Sequence, residues 1–274
     1  AASDVYKRQI LDFLEGKFKL NNLRILKQFN GCCFADLDLK QQGVIEDFQL
    51  LFYIIQPPTP ERVKYDIFDR VNRGGTPLNK QEMRNALYRG RCTRMLDKLC
   101  CSPEFLIATG RSINKERMKD QYVVLRAMAF LMLHRGEFKD IPALQYRGDI
   151  DDFLARFMVY VNDNAPEKLI VDYENLFIRC MQISYDLLGE NGFRFSGNGI
   201  RRPINMPLFE ALSYLFSFVP EKIDYTWASR LILDIESVKE EFDDSRYFSG
   251  NIDSTTSVSF RFDRMDKIIN RIQL

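Results

Sequence analysis

The chain has 274 residues, is 46% apolar and carries 39 Lys+Arg against 38 Asp+Glu, so it has material for a sizeable core and no bulk disorder. A net charge of +1 excludes a global electrostatic draw to nucleic acid or an anionic membrane and leaves room only for local basic patches. The single histidine, His134, excludes histidine-based metal sites, HNH-type nuclease centres and histidine triads, and reads as a helix-end residue before Arg135-Gly136.

The six cysteines (Cys32, Cys33, Cys92, Cys100, Cys101 and Cys180) lack CxxC spacing and read as reduced packing residues of a cytoplasmic protein. No run reaches ~18 apolar residues, so no membrane span is expected. Twenty-two phenylalanines predict thick aromatic packing between helices.

In chain order, "AASDVYKRQ" (1–9) has neither an initiator Met nor a signal-peptide pattern and reads as a non-native leader outside the fold. "ILDFLEGKFKL" reads as a helix stopped at Gly16 and running into a short strand on which Phe18 and Leu20 alternate. Asn30-Gly31 marks a turn. The second half of "VIEDFQLLFYIIQ" (44–56) reads as a strand closed by Pro57-Pro58. The chain then turns helical. Thr59-Pro60-Glu61 starts a helix with Val63, Ile67, Phe68 and Val71 on one face, ending at Asn72-Arg73-Gly74-Gly75. Asn79 caps the next helix, with Glu82 completing a capping box, and Gly90 ends it. Further helical patterns cover about 92–101, 116–134, 149–164, 167–188, 205–219 and 224–241, and a last helix follows a Ser/Thr loop. "YVVLRAMAFLML" (122–133) reads as a buried helix despite Arg126. The fold class is therefore mainly α: the remnant of a small α/β unit followed by a multi-helix bundle.

The joint between the two helices carries the candidate chemistry. Gly74 and Gly75 permit positive φ, and their N–H groups, with those of the helix beginning near Asn79, suit an anion. Arg70, Arg73, Arg84 and Arg89 surround them, and Asn72 offers a two-sided amide. Arg84 and Asn85 sit one turn into the second helix. The competing reading is purely structural: Gly-Gly ends one helix while Asn79 caps the next. Arg89, Arg91 and Arg94, with Lys98, form a basic cluster suited to DNA phosphates or to a solvated face.

"IFDRVNRGGTPLNKQEMRNALYRG" (67–90) resembles the hallmark segment of the N-terminal domain of the GmrSD-type restriction family, including its FxxxN element from Phe68 to Asn72. "ILDFLEGKFKL", "IDDFLARFM" and "INMPLFEAL" resemble flanking segments, so the likeness runs from about Ile10 to the end. It implies a truncated ParB/sulfiredoxin-like α/β portion over 10–90 and a helical domain over 91–274. It also implies a nucleotide-binding site at Phe68, Asn72, Arg73, Gly74, Gly75, Arg84 and Asn85, with NTP and magnesium as the chemistry.

The family's Asp-Gly-Gln-Gln-Arg motif, part of its hydrolytic site, would fall at about residues 2–6, where this chain reads Ala-Ser-Asp-Val-Tyr. No nuclease half follows. The resemblance thus implies an NTP-binding component, NTP-hydrolysing when intact, of prokaryotic defence against phage or modified DNA. DNA and a separate nuclease are the expected partners, and a membrane is not. The alternative is a non-catalytic DNA- or protein-binding module.

Overall fold

The structure, a computed structural model, describes residues 2–23, 25–49, 63, 67, 70, 78–196, 201–220 and 224–272 (backbone only at 2–7, 246 and 272). The chain forms two compact units, Ala1–Val71 and Asn72–Leu274. The helix expected after Thr59 and the strand expected before Pro57 fall mostly outside the described residues.

The first unit holds α1 (Ala2–Leu14) and α2 (Leu39–Glu46). Residues 2–9, read in the sequence as a leader, are helical and continue into the turn that buries Phe13, and one sequence expectation is corrected. The strand expected at Phe18–Leu20 does not form. That segment makes two backbone bonds with the Asn30-Gly31 turn, Leu20 N–H to Cys32 O (2.9 Å) and Gly31 N–H to Leu20 O (2.7 Å), too few for a ladder. The described residues contain no strand, so they give the expected α/β remnant no sheet. Phe13 packs with Phe18 and edge-on against Phe34 at centroid distances of 5.6 and 6.0 Å. Asp38 and Gln41 cap α2 reciprocally.

All regular secondary structure among the described residues of the second unit is helical. Its elements are α3 (Lys80–Leu87), α4 (Arg91–Cys100), α5 (Pro103–Ala108), α6 (Lys119–His134), α7 (Ile150–Asp163), α8 (Glu167–Leu188), α9 (Met206–Phe216), α10 (Tyr225–Asp243) and α11 (Thr255–Ile272). α6 and α9 are apolar on nearly every side and form the centre, as such helices must. α9 packs on α6, α8 and α11; α4 packs on α6 and α7; α5 packs on α8. The abundant phenylalanines fill these seams. Phe130 meets Tyr146, Phe153 and Phe262, while Phe209 meets Phe105, Phe177 and Phe193. Cys92, Cys100 and Cys180 are buried packing residues whose thiols burial pushes upward in pKa.

Two joints differ from the sequence reading for local reasons. The pattern from 116 onward breaks at Arg117 (φ 55°) and Met118 (φ 58°), which lie in a 3-10 turn, Glu116–Met118, directly before α6. Gly90 sits beyond α3, which ends at Leu87, and opens α4 in an extended conformation. Its requirement is space: a Cβ there would lie 2.5 Å from Asn162 Oδ1. The Asn162 amide cannot move freely, because Oδ1 accepts from Cys92 N–H and Nδ2 donates to Tyr88 O, both at 2.9 Å. Gly90→Ala is therefore expected to lower stability by about 1–3 kcal/mol, the range for overpacking, read as a lower urea midpoint at unchanged slope.

Candidate functional site

The cap of α3 organises the site. Asn79 Oδ1 accepts from the N–H groups of Gln81 (2.8 Å) and Glu82 (2.9 Å), and Glu82 Oε2 accepts from Asn79 N–H (2.6 Å). This is the capping box read in the sequence. The cap also reaches across the chain: Asn79 Nδ2 donates to Arg117 O (2.6 Å), and Arg117 Nη2 pairs with Glu82 Oε2 (3.1 Å). Loop 114–118 is thereby fastened to the start of α3. The two left-handed residues at 117 and 118 cost about 1–3 kcal/mol each, so such anchors are needed to hold them.

Between α3 and this loop lies a cleft of about 520 Å³, lined by Asn79, Lys80, Gln81, Arg84, Lys119 and Tyr122 among others. Arg84 is its buried cation, with a side chain only 1% exposed. Its Nε donates to Gln81 Oε1 (3.0 Å), its Nη1 to Asp151 Oδ1 (2.8 Å), and its guanidinium lies 5.2 Å from the centre of the Tyr122 ring. Lys80 pairs with the same Asp151. Burial raises the Asp151 pKa, but the hydrogen bonds from Lys80 and Arg84 outweigh it and hold the carboxyl below its usual value.

The other predicted residues separate. Asn85 exchanges amide bonds with Gln81 and Gln121, and Gln121 reaches Asp97 on α4, so Asn85 ties helices together rather than lining the cleft. Arg91 clasps the α7–α8 turn through Ala165 O (2.9 Å) and Glu167 (3.0 Å), while Arg89 and Arg94 are exposed. Phe68, Asn72, Arg73, Gly74 and Gly75 lie outside the described residues. Sequence reasoning missed Tyr122, Lys119, Arg117 and Asp151. Near them only the helical pattern over about 149–164 was legible, and it says nothing about what Asp151 faces.

The chemistry available at the cleft is electrostatic. Asp151 and Glu82 are both committed to cations, so these residues offer no carboxylate set for a magnesium ion. Among the described residues no three His, Cys, Asp or Glu side chains gather as a metal cluster. No described helix is long and apolar enough to cross a membrane.

A second charged group sits behind the cleft, in the core. Arg126, continuous with the site through Tyr122 (Nη1 donates to its hydroxyl, 3.1 Å), pairs with Glu210 and with Asp253 (2.6 Å). Arg261 pairs with the other Glu210 oxygen (3.0 Å) and donates to Ile252 O (2.5 Å). Glu210 and Arg261 are fully buried and Arg126 nearly so. Burial opposes the Arg126 charge, but the Glu210 and Asp253 carboxylates outweigh it and raise its pKa; burial lowers that of Arg261. These side chains hold α6, α9 and α11 together and face no cleft described here.

Compared with known proteins, the chain matches no family model, no curated protein and no solved structure.

Proposed function

We propose that this chain is the nucleotide-binding component of a prokaryotic defence protein directed against phage or modified DNA, with NTP hydrolysis performed by the intact protein. The reading starts from the resemblance of residues 67–90 and takes its physical support from Arg84. A guanidinium almost wholly withdrawn from water sits in a cleft on the second half of that same segment. The cleft volume falls in the usual ~300–1,000 Å³ range of small-molecule sites. Arg suits phosphate because its planar fork donates two parallel charged hydrogen bonds.

The runner-up is a non-catalytic DNA- or protein-binding module, favoured by the exposed Arg89 and Arg94. Calorimetric titration of ATP and GTP into the 274-residue chain and an Asn72→Ala variant separates the two. The nucleotide reading expects one binding site in the parent chain and at least about tenfold weaker binding in the variant, at equal thermal stability. Absence of binding in both, with salt-sensitive capture of duplex DNA that is lost in Arg89→Ala/Arg94→Ala, would establish the runner-up instead.

A further inference from the structure

Arg84 is the cleft end of a row of side-chain hydrogen bonds. Its Nε donates to Gln81 Oε1 (3.0 Å), and Nε2 of the same amide donates to Asn85 Oδ1 (2.8 Å). Asn85 Nδ2 donates in turn to Gln121 Oε1, and Gln121 Nε2 donates to Asp97 Oδ1 (2.7 Å). The row joins three helices: Arg84, Gln81 and Asn85 stand on α3, Gln121 on α6 and Asp97 on α4. It starts at a buried guanidinium and ends at an exposed carboxylate.

The two ends fix its direction. An amide turned by 180° exchanges its oxygen for its nitrogen, so each of the three amides has two orientations. A guanidinium only donates, and an ionised carboxylate only accepts. With Arg84 at one end and Asp97 at the other, a single assignment satisfies all four contacts: oxygens toward Arg84, nitrogens toward Asp97. Turning any one amide sets nitrogen against nitrogen on one side of it and oxygen against oxygen on the other. The orientation of Gln81 at the cleft is thereby tied to a residue on α4.

We infer that Gln81, Asn85 and Gln121 are positioning residues for Arg84, with Asp97 as the remote acceptor that sets their direction. This rests on the nucleotide reading above, in which Arg84 is the phosphate anchor, and it concerns how that anchor is presented. It also gives Asn85, a site residue by sequence that stands off the cleft lining, its part in the site. Asn85, Gln121 and Asp97 act here without touching a ligand.

The test uses the 274-residue chain and two exchanges at Gln121, chosen so that the row and simple charge predict opposite signs. Gln121→Lys can only donate. It suits Asp97 but turns a donor toward Asn85, and the misfit passes along the row to Gln81 and Arg84. Gln121→Glu can only accept. It keeps the contact with Asn85 and opposes Asp97, so the misfit stays at the far end. Charge alone predicts the reverse for an anionic ligand, tighter binding with the lysine and weaker with the glutamate. A merely structural Gln121 would move affinity together with stability, and the lysine, paired with Asp97, is the more stable exchange.

Two readouts are taken: the Arg84 Nε–H resonance in nitrogen–proton NMR spectra, and calorimetric titration with ATP. In Gln121→Lys the resonance is expected to shift or broaden and ATP to bind about fivefold to tenfold more weakly, the worth of about one hydrogen bond. In Gln121→Glu the resonance is expected to stay at its parent position and the affinity within about twofold of the parent. An unchanged Arg84 resonance in Gln121→Lys would overturn the inference, as would affinities that follow the added charge. Absence of ATP binding by the parent chain, with the resonances behaving as expected, would overturn the nucleotide reading and leave the row as the device that orients Arg84.

Discussion

Replacing Glu210 with alanine is expected to destabilise the helical unit by about 3–5 kcal/mol, the cost of leaving a buried charge without its partner. Glu210 sits on the central helix α9 with no solvent exposure, and each of its oxygens meets a different guanidinium, Arg126 from α6 and Arg261 from α11. Removing it takes a carboxylate from both cations. Asp253 still faces Arg126, but Arg261 keeps only the Ile252 carbonyl and a cation–π contact with Phe248, its guanidinium 5.9 Å from the ring centre.

The measurement is urea unfolding followed by the single tryptophan, Trp227 on α10. A companion replaces all three members with apolar residues of similar volume, Arg126→Met/Glu210→Leu/Arg261→Met. It is expected to lie far closer to the parent, because the desolvation cost leaves along with the attraction. A Glu210→Ala loss under about 1 kcal/mol would mean that water reaches the guanidiniums, contrary to the packing described.

The second large effect is a pH dependence centred on His134. The imidazole ends α6 stacked on Phe262, with ring centres 3.5 Å apart and planes 7° apart, and its Nε2 is buried without a hydrogen-bond partner. Burial first, and the Arg261 charge second, lower its pKa from 6.5 to about 3. The folded chain therefore refuses a proton that the unfolded chain accepts. The stability due to the neutral ring is fully present above pH 6.5 and is lost as pH falls from 6.5 toward 3. Each unit in that window costs about 1.4 kcal/mol, so the loss near pH 4.5 is about 3 kcal/mol. His134→Phe keeps the stack and removes the titration. Unfolding free energies of the two proteins at pH 7.5 and 4.5 are expected to converge for the variant and fall for the parent by that difference. Equal pH slopes in both would show that the ring is protonated in the folded state.

How much was legible in the sequence depended on the range of the interaction that decides each feature. The helices at 167–188 and 224–241 were readable because caps and apolar period are local, and α8 begins and ends where that pattern does. Asn79 and Glu82 were readable because a capping box lies within four residues. The same Asn79 also holds Arg117, 38 residues away, and nothing at either position announces it. Arg84 lines the cleft, while its adjacent neighbour Asn85 points into the α3–α4–α6 seam. One residue along a helix turns a side chain by about 100°, and only the tertiary packing says which direction is cleft. The Arg126–Glu210–Arg261 cluster was invisible for the same reason: each residue reads alone as an interruption in an apolar run. The expected strand at Phe18–Leu20 failed because alternation over three residues cannot create a partner.

The account turns on Arg84 as the phosphate anchor, and the most direct measurement is a crystal structure of the 274-residue chain with a non-hydrolysable ATP analogue. The predicted result is phosphate density in the cleft between α3 and loop 114–118, against the Arg84 guanidinium. An analogue bound anywhere else, or an empty cleft at a concentration that saturates binding in solution, would contradict it.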